Sequence, residues 1–367
     1  MVRKMSSVDQ NQVEKILSNI KDIYLGKDLV SSGAVKDISL ENDRIIISLQ
    51  LGYPCNGYRE TLASEVSARI SESTGITDIR VDISFNITSH AVQKGVKVLK
   101  NIKNTIAVAS GKGGVGKSTT AVNLALALQA EGAKVGILDA DIYGPSQPRM
   151  LGAGGKPDSP DGKSINPNVS YNIQSMSIGY LIDEETPMIW RGPMVTSALE
   201  QLLNDTNWTD LDYLVIDLPP GTGDIQLTLC QKVPVTGALI VTTPQDIALL
   251  DARKGLKMFE KVDVPVLGII ENMSTHICTN CGHEEPIFGK GGGAQMARQY
   301  GVDLLGELPL DIKIREGVDN GKPTVVMDPD SRTTAIYREI ARKTAAMLSL
   351  RARDYSAKFP KIVVENN

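Results

Sequence analysis

Five short apolar runs, nearly unbroken by polar residues, punctuate the chain from position 105 onward. They are Thr105-Ile106-Ala107-Val108-Ala109, Val135-Gly136-Ile137-Leu138, Tyr213-Leu214-Val215-Ile216, Ala238-Leu239-Ile240-Val241 and Val266-Leu267-Gly268-Ile269-Ile270. A strand with solvent on one face alternates apolar and polar residues; a strand covered on both faces does not. Thr119 to Glu131, rich in Ala and Leu, reads as a helix directly after the first run. Ala335 to Leu350 is a final amphipathic helix, expected to pack on the domain because little basic character borders its apolar face. The alternation predicts an α/β fold with a mostly parallel sheet covered by helices on both faces.

The first 92 residues follow another rhythm. Val13, Ile16, Leu17, Ile20 and Ile23 form a 3.6-residue stripe. After the turn signal Glu41-Asn42-Asp43, Ile45, Ile47, Leu49 and Leu51 alternate as in a strand. Thr61 to Ser73 is helical again, and Ile79 to Phe85 alternates. The order α-β-β-α-β predicts a small α+β domain of one sheet and two helices. Polar, Lys-rich Gln93 to Lys103 reads as a linker. The expected divisions are residues 1–92, a linker at 93–104, a nucleotide-binding domain at 105–350 and a loosely ordered tail at 351–367. Gly152 to Asn172, crowded with Gly, Pro, Ser and Asn, is expected to be an exposed loop.

Composition narrows the function. A hydrophobic share of 41% in 367 residues fits a chain with a full core. The net charge is −4 and no Lys/Arg block stands out, which argues against nucleic acid as the main partner. Aromatics make up 4%, too few for base-stacking platforms. No apolar run approaches the ~20 residues of a membrane helix, so no membrane partner is expected. The start of the chain lacks a signal-peptide stretch, and a cytoplasmic location is expected. There the four cysteines stay reduced and free for metal or chemistry.

Gly111-Lys112-Gly113-Gly114-Val115-Gly116-Lys117-Ser118-Thr119 satisfies the phosphate-loop pattern between a strand and a helix. Its glycines let successive N–H groups curl around an anion, and the next helix points its positive end at the phosphates. Lys117 is placed to reach the β- and γ-phosphates of ATP, and the Ser118 hydroxyl to ligate Mg²⁺. Strand ends Leu138-Asp139-Ala140-Asp141 and Leu214-Val215-Ile216-Asp217 bring carboxylates to the same edge. Asp217 is expected as the second Mg²⁺ anchor and Asp141 as the group that orients or deprotonates the attacking water. Asp139 reads either as part of that site or as a strand-end carboxylate capping a turn. Leu218 to Asp224 is a Gly- and Pro-rich segment suited to a nucleotide-dependent switch. Asn272, at a strand end near the expected base, is a candidate to hydrogen-bond adenine. Lys112 duplicates a charge that Lys117 already supplies; it either contacts its own loop or reaches a nucleotide on a partner subunit.

Cys278-Thr279-Asn280-Cys281 places two thiols on one metal-sized arc. A tetrathiolate site needs four. The simplest completion is a symmetric dimer in which each subunit gives Cys278 and Cys281. A local zinc site using His276 or His283 and a dithiol redox pair are the alternatives. Cys230 reads as a buried apolar position, and Cys55 as either a reactive or metal-contacting thiol or a plain loop residue.

With these residues in place the chain resembles the Mrp/ApbC family of iron–sulfur cluster carrier ATPases over nearly its whole length. The resemblance rests on the double-lysine loop, on Leu138-Asp139-Ala140-Asp141-Ile142-Tyr143-Gly144-Pro145-Ser146 and on Asp217 to Asp224. Thr242-Thr243-Pro244-Gln245 and Asn272-Met273 followed by Cys278-x-x-Cys281 complete it. The N-terminal residues look like the small domain of other iron–sulfur assembly factors. The resemblance implies a P-loop ATPase of the wider MinD and nitrogenase iron-protein group that dimerises with ATP between subunits. Lys112 would then cross to the partner's nucleotide. It further implies a [4Fe-4S] cluster between the paired Cys278 and Cys281 motifs, a homodimer, and transfer of the cluster to apo iron–sulfur proteins together with cluster-assembly factors. A MinD/ParA-like positioning ATPase shares the double-lysine loop but leaves Cys278 and Cys281 without a task. A zinc-binding interaction protein on a spent nucleotide fold leaves Lys117, Ser118, Asp141 and Asp217 without one.

Overall fold

The computed structural model describes residues 8–41, 44–182, 192–278 and 280–353. The turn signal's Asn42 and Asp43, and the tail from 354 on, lie outside the described residues.

The N-terminal region runs α1 (Gln10–Leu17), β1 (Val35–Glu41), β2 (Arg44–Leu51), α2 (Arg59–Thr74) and β3 (Asp78–Phe85). Asp9 caps α1 by accepting from the Gln12 amide at 2.8 Å. The helix stops at Leu17, short of the expected stripe. Asp22 takes the Tyr24 and Leu25 amides instead, turning the chain and leaving Ile23 67% exposed. Ile45, Ile47, Leu49 and Leu51 are buried along β2, as strand alternation requires. β2 pairs antiparallel with β1 and parallel with β3.

The rest builds one eight-stranded sheet. Its elements are β4 (Ile102–Ala109), α3 (Lys117–Ala130), β5 (Val135–Asp139), α4 (Gln147–Met150), β6 (Asn168–Ser170), β7 (Ile173–Ser177), α5 (Gly192–Asn204), β8 (Leu211–Asp217), α6 (Asp224–Lys232), β9 (Gly237–Thr242), α7 (Asp246–Lys261) and β10 (Val266–Glu271). After a hairpin of β11 (His276–Ile277) and β12 (Glu284–Glu285) come α8 (Gly292–Tyr300), β13 (Leu304–Glu307), α9 (Ile312–Asp319), α10 (Thr324–Met327) and α11 (Arg332–Ser349). The strand order is β13-β10-β9-β4-β8-β5-β7-β6, parallel throughout except for β6 against β7.

Three segments differ from the sequence reading. The expected loop at 152–172 contains β6, which pairs with β7 along the sheet edge. The expected linker is anchored to the ATPase core, and its end belongs to the sheet. Buried Gln93 donates to the Cys230 and Val233 carbonyls at 2.8 and 2.7 Å and accepts from the Val235 amide, and Ile102 already belongs to β4. The first tail residues are also tied down, since the Ala91 amide donates to the Ala352 carbonyl.

A single apolar core runs from Val13, Ile47 and Val66 through Leu124 and Leu128 of α3 to Ile340 and Leu348 of α11. Leu138, Leu199, Leu214 and Phe259 form a second core on the sheet's other face. α11 turns Tyr337, Ile340 and Ala341 inward against α3 and β13, so its apolar stripe is spent on packing. At the end of α3, Glu131 is fully buried. Its carboxylate accepts from the Gly57 amide at 2.8 Å, from Arg338 Nε at 2.8 Å and from Arg342 Nη1; its carbonyl accepts from the Asn56 amide. This cluster fastens the Asn56-Gly57 turn of the small sheet's layer to both helices.

Candidate nucleotide and metal sites

The phosphate loop connects β4 to α3, and its shape depends on two glycines. Gly116 has φ +81°, and a Cβ there would lie 2.1 Å from Asn272 Nδ2. At Gly111 the conflict is with backbone: a Cβ would fall 2.2 Å from the Asp251 carbonyl carbon on α7. No side-chain rearrangement relieves the second clash. Asn272 braces the loop from beneath, donating from Nδ2 to the Val115 carbonyl at 2.9 Å. One of its two amide protons is therefore used on the loop, and Oδ1 remains an acceptor. The next residue, Met273, sits at φ +58°, a left-handed conformation uncommon outside glycine.

Sheet order converts distant sequence positions into neighbours. Asp139 ends β5 and Asp217 ends β8, and the two stand opposite each other in parallel register. Lys117 Nζ forms an ion pair with Asp217 Oδ1 and donates to Ser118 Oγ at 3.1 Å. Both members of the pair are buried. One buried ammonium faces two buried carboxylates. Burial first, and then the Asp217 charge, push the Asp139 carboxyl up to about 7. Asp139 also accepts from the Ser146 and Gln147 amides at 2.9 and 3.0 Å, from Ser177 Oγ and from the Asp141 amide. It thus organises the turn from β5 into α4, matching the turn-capping alternative. Asp141 is half-buried, and burial raises its carboxyl while Lys117 opposes the rise.

Sequence reasoning did not single out Gln147, yet it sits at the centre of this group. Its Nε2 donates to Asp217 Oδ2 at 2.9 Å and to the Ser118 carbonyl at 3.1 Å. A neutral amide carries no motif signal; the only hint was its place just after the Asp139 to Ser146 run. Lys117 Nζ bridges Ser118 Oγ and the Asp217 carboxylate, oxygen donors of the kind that suits Mg²⁺ rather than a soft metal. The 218–224 segment is tied to the loop's entrance, with the Gly221 amide donating to the Ser110 carbonyl. Lys112 has no ion-pair partner among the described residues. Beside Gly116, Thr119 and Asn272 lies a cavity of roughly 260 Å³ walled by Pro309, Leu310 and Ile314.

The two cysteines of the C-x-x-C occupy the tip of the β11–β12 hairpin, closed by Cys278 N–H to the His283 carbonyl and Gly282 N–H to the Cys278 carbonyl. Cys278 is half-buried and Cys281 exposed. Amides of Cys281 and Asn280, and the Cys281 thiol, pull the Cys278 thiol below its usual range. Among the described residues no three Cys, His, Asp or Glu side chains gather as a metal site, so neither His276 nor His283 completes one locally. Cys55 and Cys230 are buried, and desolvation pushes their thiols up to about 11 and about 12. Burial of Cys55 favours the reading as a plain structural residue over that as an accessible thiolate. Among the described residues no helix is long and apolar enough to cross a membrane.

Comparison with known proteins identifies the family. Residues 101–345 match the NUBPL iron-transfer P-loop NTPase family, and residues 10–107 match an iron–sulfur cluster assembly protein family. The iron–sulfur cluster carrier protein of Salmonella typhimurium is 54% identical over 333 residues, 90% of each chain. That of Synechocystis is 42% identical, covering 92% of this chain and 97% of its relative. A nucleotide-binding protein of Archaeoglobus fulgidus, solved with ADP, superposes with a TM-score of 0.56 at 38% identity, over 63% of this chain and 90% of its own. A complete phosphate loop, an exposed C-x-x-C hairpin and kinship across both regions place the chain in one family: it belongs to the iron–sulfur cluster carriers built on a P-loop NTPase.

Proposed function

We propose that the chain binds and hydrolyses Mg²⁺·ATP and carries a [4Fe-4S] cluster to recipient apoproteins. The observation that carries this reading is the Cys278/Cys281 hairpin, whose two thiols would supply two of the four ligands a tetrathiolate needs, in a chain whose Lys117, Ser118 and Asp217 meet beside the phosphate loop. The backbone amides of residues 111–119 cradle the phosphates, and Lys117 turns from Asp217 to the β- and γ-phosphates. Ser118 and Asp217 hold Mg²⁺, which supplies charge neutralisation at the phosphates. Asp141 orients the attacking water, its raised carboxyl suiting a proton acceptor. Adenine occupies the cavity beside Gly116, against Pro309 and Leu310, with Asn272 Oδ1 accepting from its amino group.

Two features favour a homodimer. Lys112 is left without a counter-ion among the described residues and can serve a partner's nucleotide. Ile247 and Leu250 on the first turns of α7, beside Gly111, are 69% and 54% exposed, an apolar surface that a second copy would cover.

Anaerobic reconstitution tests the reading. Iron and acid-labile sulfide should reach one cluster per two chains, and Cys278→Ala should abolish loading and dimer bridging together. Stoichiometric zinc in a monomer, or cluster loading unchanged in that variant, overturns it. Lys117→Ala should abolish hydrolysis, and intact turnover removes the catalytic assignment.

A further inference from the structure

We infer that Gln147 is the positioning residue that orients Asp217 for Mg²⁺ and couples metal occupancy to the segment after β5. The inference rests on the nucleotide site proposed above and assigns that site a component its motifs do not contain.

Gln147 is 1% exposed at the first position of α4. Each of its polar atoms but one has a partner. Nε2 bridges Asp217 Oδ2 and the Ser118 carbonyl, at 2.9 and 3.1 Å. The backbone amide donates to Asp139 Oδ2 at 3.0 Å. One residue therefore joins the ends of β5 and β8 to the first turn of α3.

The two oxygens of Asp217 are held by groups of different kinds. Lys117 takes Oδ1 and the Gln147 amide takes Oδ2. When nucleotide draws Lys117 to the phosphates, Oδ1 is released while Oδ2 stays pinned. A neutral amide suits this task. It fixes a buried carboxylate by hydrogen bonding without adding positive charge that would repel a dication. A lysine in its place would compete with the metal, and an apolar side chain would leave the carboxylate free to turn.

The remaining atom, Gln147 Oε1, is buried without a hydrogen-bond partner. Buried acceptors are normally satisfied, and exceptions mark places where a partner arrives later. An orphaned acceptor on the residue that already grips Asp217 and the Ser118 backbone is suited to a proton of a metal-bound water. Because the same residue's amide caps onto Asp139, Mg²⁺ arrival is felt along the whole Asp139 to Gln147 turn.

The test measures binding of the fluorescent analogue mant-ADP with Mg²⁺ and with EDTA, using the full chain, and takes the ratio of the two Kd values. Gln147→Met keeps length and volume but removes both donors and the acceptor. The Mg²⁺-dependent tightening should shrink about tenfold in this variant, the loss expected for a hydrogen bond to a charged group. Gln147→Glu keeps the acceptor and sets a carboxylate against Asp217; its loss should be larger at pH 8 than at pH 6. A merely structural role would lower the melting temperature and leave the Kd ratio at the wild-type value in Gln147→Met, and that result overturns the inference. If wild type itself shows no tightening by Mg²⁺, the nucleotide reading fails and this inference with it. Normal tightening in wild type and in both variants removes Gln147 alone.

Discussion

Glu131, the residue that ends the phosphate-loop helix, accepts a 2.8 Å hydrogen bond from the backbone amide of Gly57, in the turn between β2 and α2. The contact spans 74 positions of sequence, and Arg338 and Arg342 close around the same carboxylate. Removing one partner from a buried ion cluster strands the others in low dielectric. Glu131→Ala should therefore cost roughly 3–5 kcal/mol of unfolding free energy. Guanidinium denaturation followed by circular dichroism reads the loss, and a change below ~1 kcal/mol would show the cluster to be energetically idle.

Gly111 and Gly113 lie two residues apart in one loop but should respond differently to a methyl group. At Gly111 the added carbon meets the α7 backbone at Asp251 and Ala252, whereas at Gly113 nothing lies within 4 Å. Gly111→Ala should destabilise by about 2 kcal/mol or more, since overpacking against backbone has no flexible way out. Gly113→Ala should stay within ~1 kcal/mol in the nucleotide-free chain. Thermal melts of the two variants side by side check the contrast. Equal melting temperatures would mean that α7 yields where the structure has it fixed.

Asp139 gives the nucleotide-free protein a pH signature. Its carboxyl is raised to about 7 in the folded chain, chiefly by burial and then by Asp217. In the unfolded chain it titrates near 3.9, so between these values the native state holds a proton that the unfolded state lacks. The associated stability is full below about pH 4 and is lost as pH rises through about 7. The slope approaches 1.4 kcal/mol per pH unit at most. Asp139→Asn should flatten this part of the profile. Parallel wild-type and variant stability curves from pH 4 to pH 8 would contradict the assignment.

The four cysteines should separate by reactivity into two pairs. Cys278 is only half-buried and its thiol is lowered by nearby amides, so alkylation should reach half-maximal rate below the ordinary thiol value of about 8.5. Cys55 and Cys230, raised to about 11 and about 12, should resist until the chain unfolds. Iodoacetamide labelling mapped by mass spectrometry distinguishes the pairs. Cys281→Ala should move the Cys278 profile upward, because it removes the thiol donor. Labelling of Cys55 in native protein would show that the Asn56-Gly57 turn opens.

The doubly covered strands were legible because burial on both faces leaves no room for polar residues: β4, β5, β8, β9 and β10 all appear as apolar runs. β7, which reads Ile-Gln-Ser-Met-Ser, lacks that mark although mostly buried, because Ser175 and Ser177 are satisfied by the Tyr180 hydroxyl and the Asp139 carboxylate. The phosphate loop was legible for a different reason. Its chemistry is local, so spacing carries it. Gln147 and Glu131 were not legible, because their roles depend on partners brought together by strand order and helix packing. Gln147 reaches Asp217 across 70 positions and Glu131 reaches Arg338 across 207, and no local pattern encodes such a distance.

The apolar core that passes from Val13 through Leu128 to Leu348 has a consequence for how the chain can be handled and inherited. A tethered accessory part can be cut away, exchanged or duplicated, leaving its neighbour intact. Here excision of the first ninety or so residues would strip one wall from the helices behind the phosphate loop. Calorimetry should record a single transition, and the N-terminal sheet is better regarded as an organ of the ATPase than as its passenger.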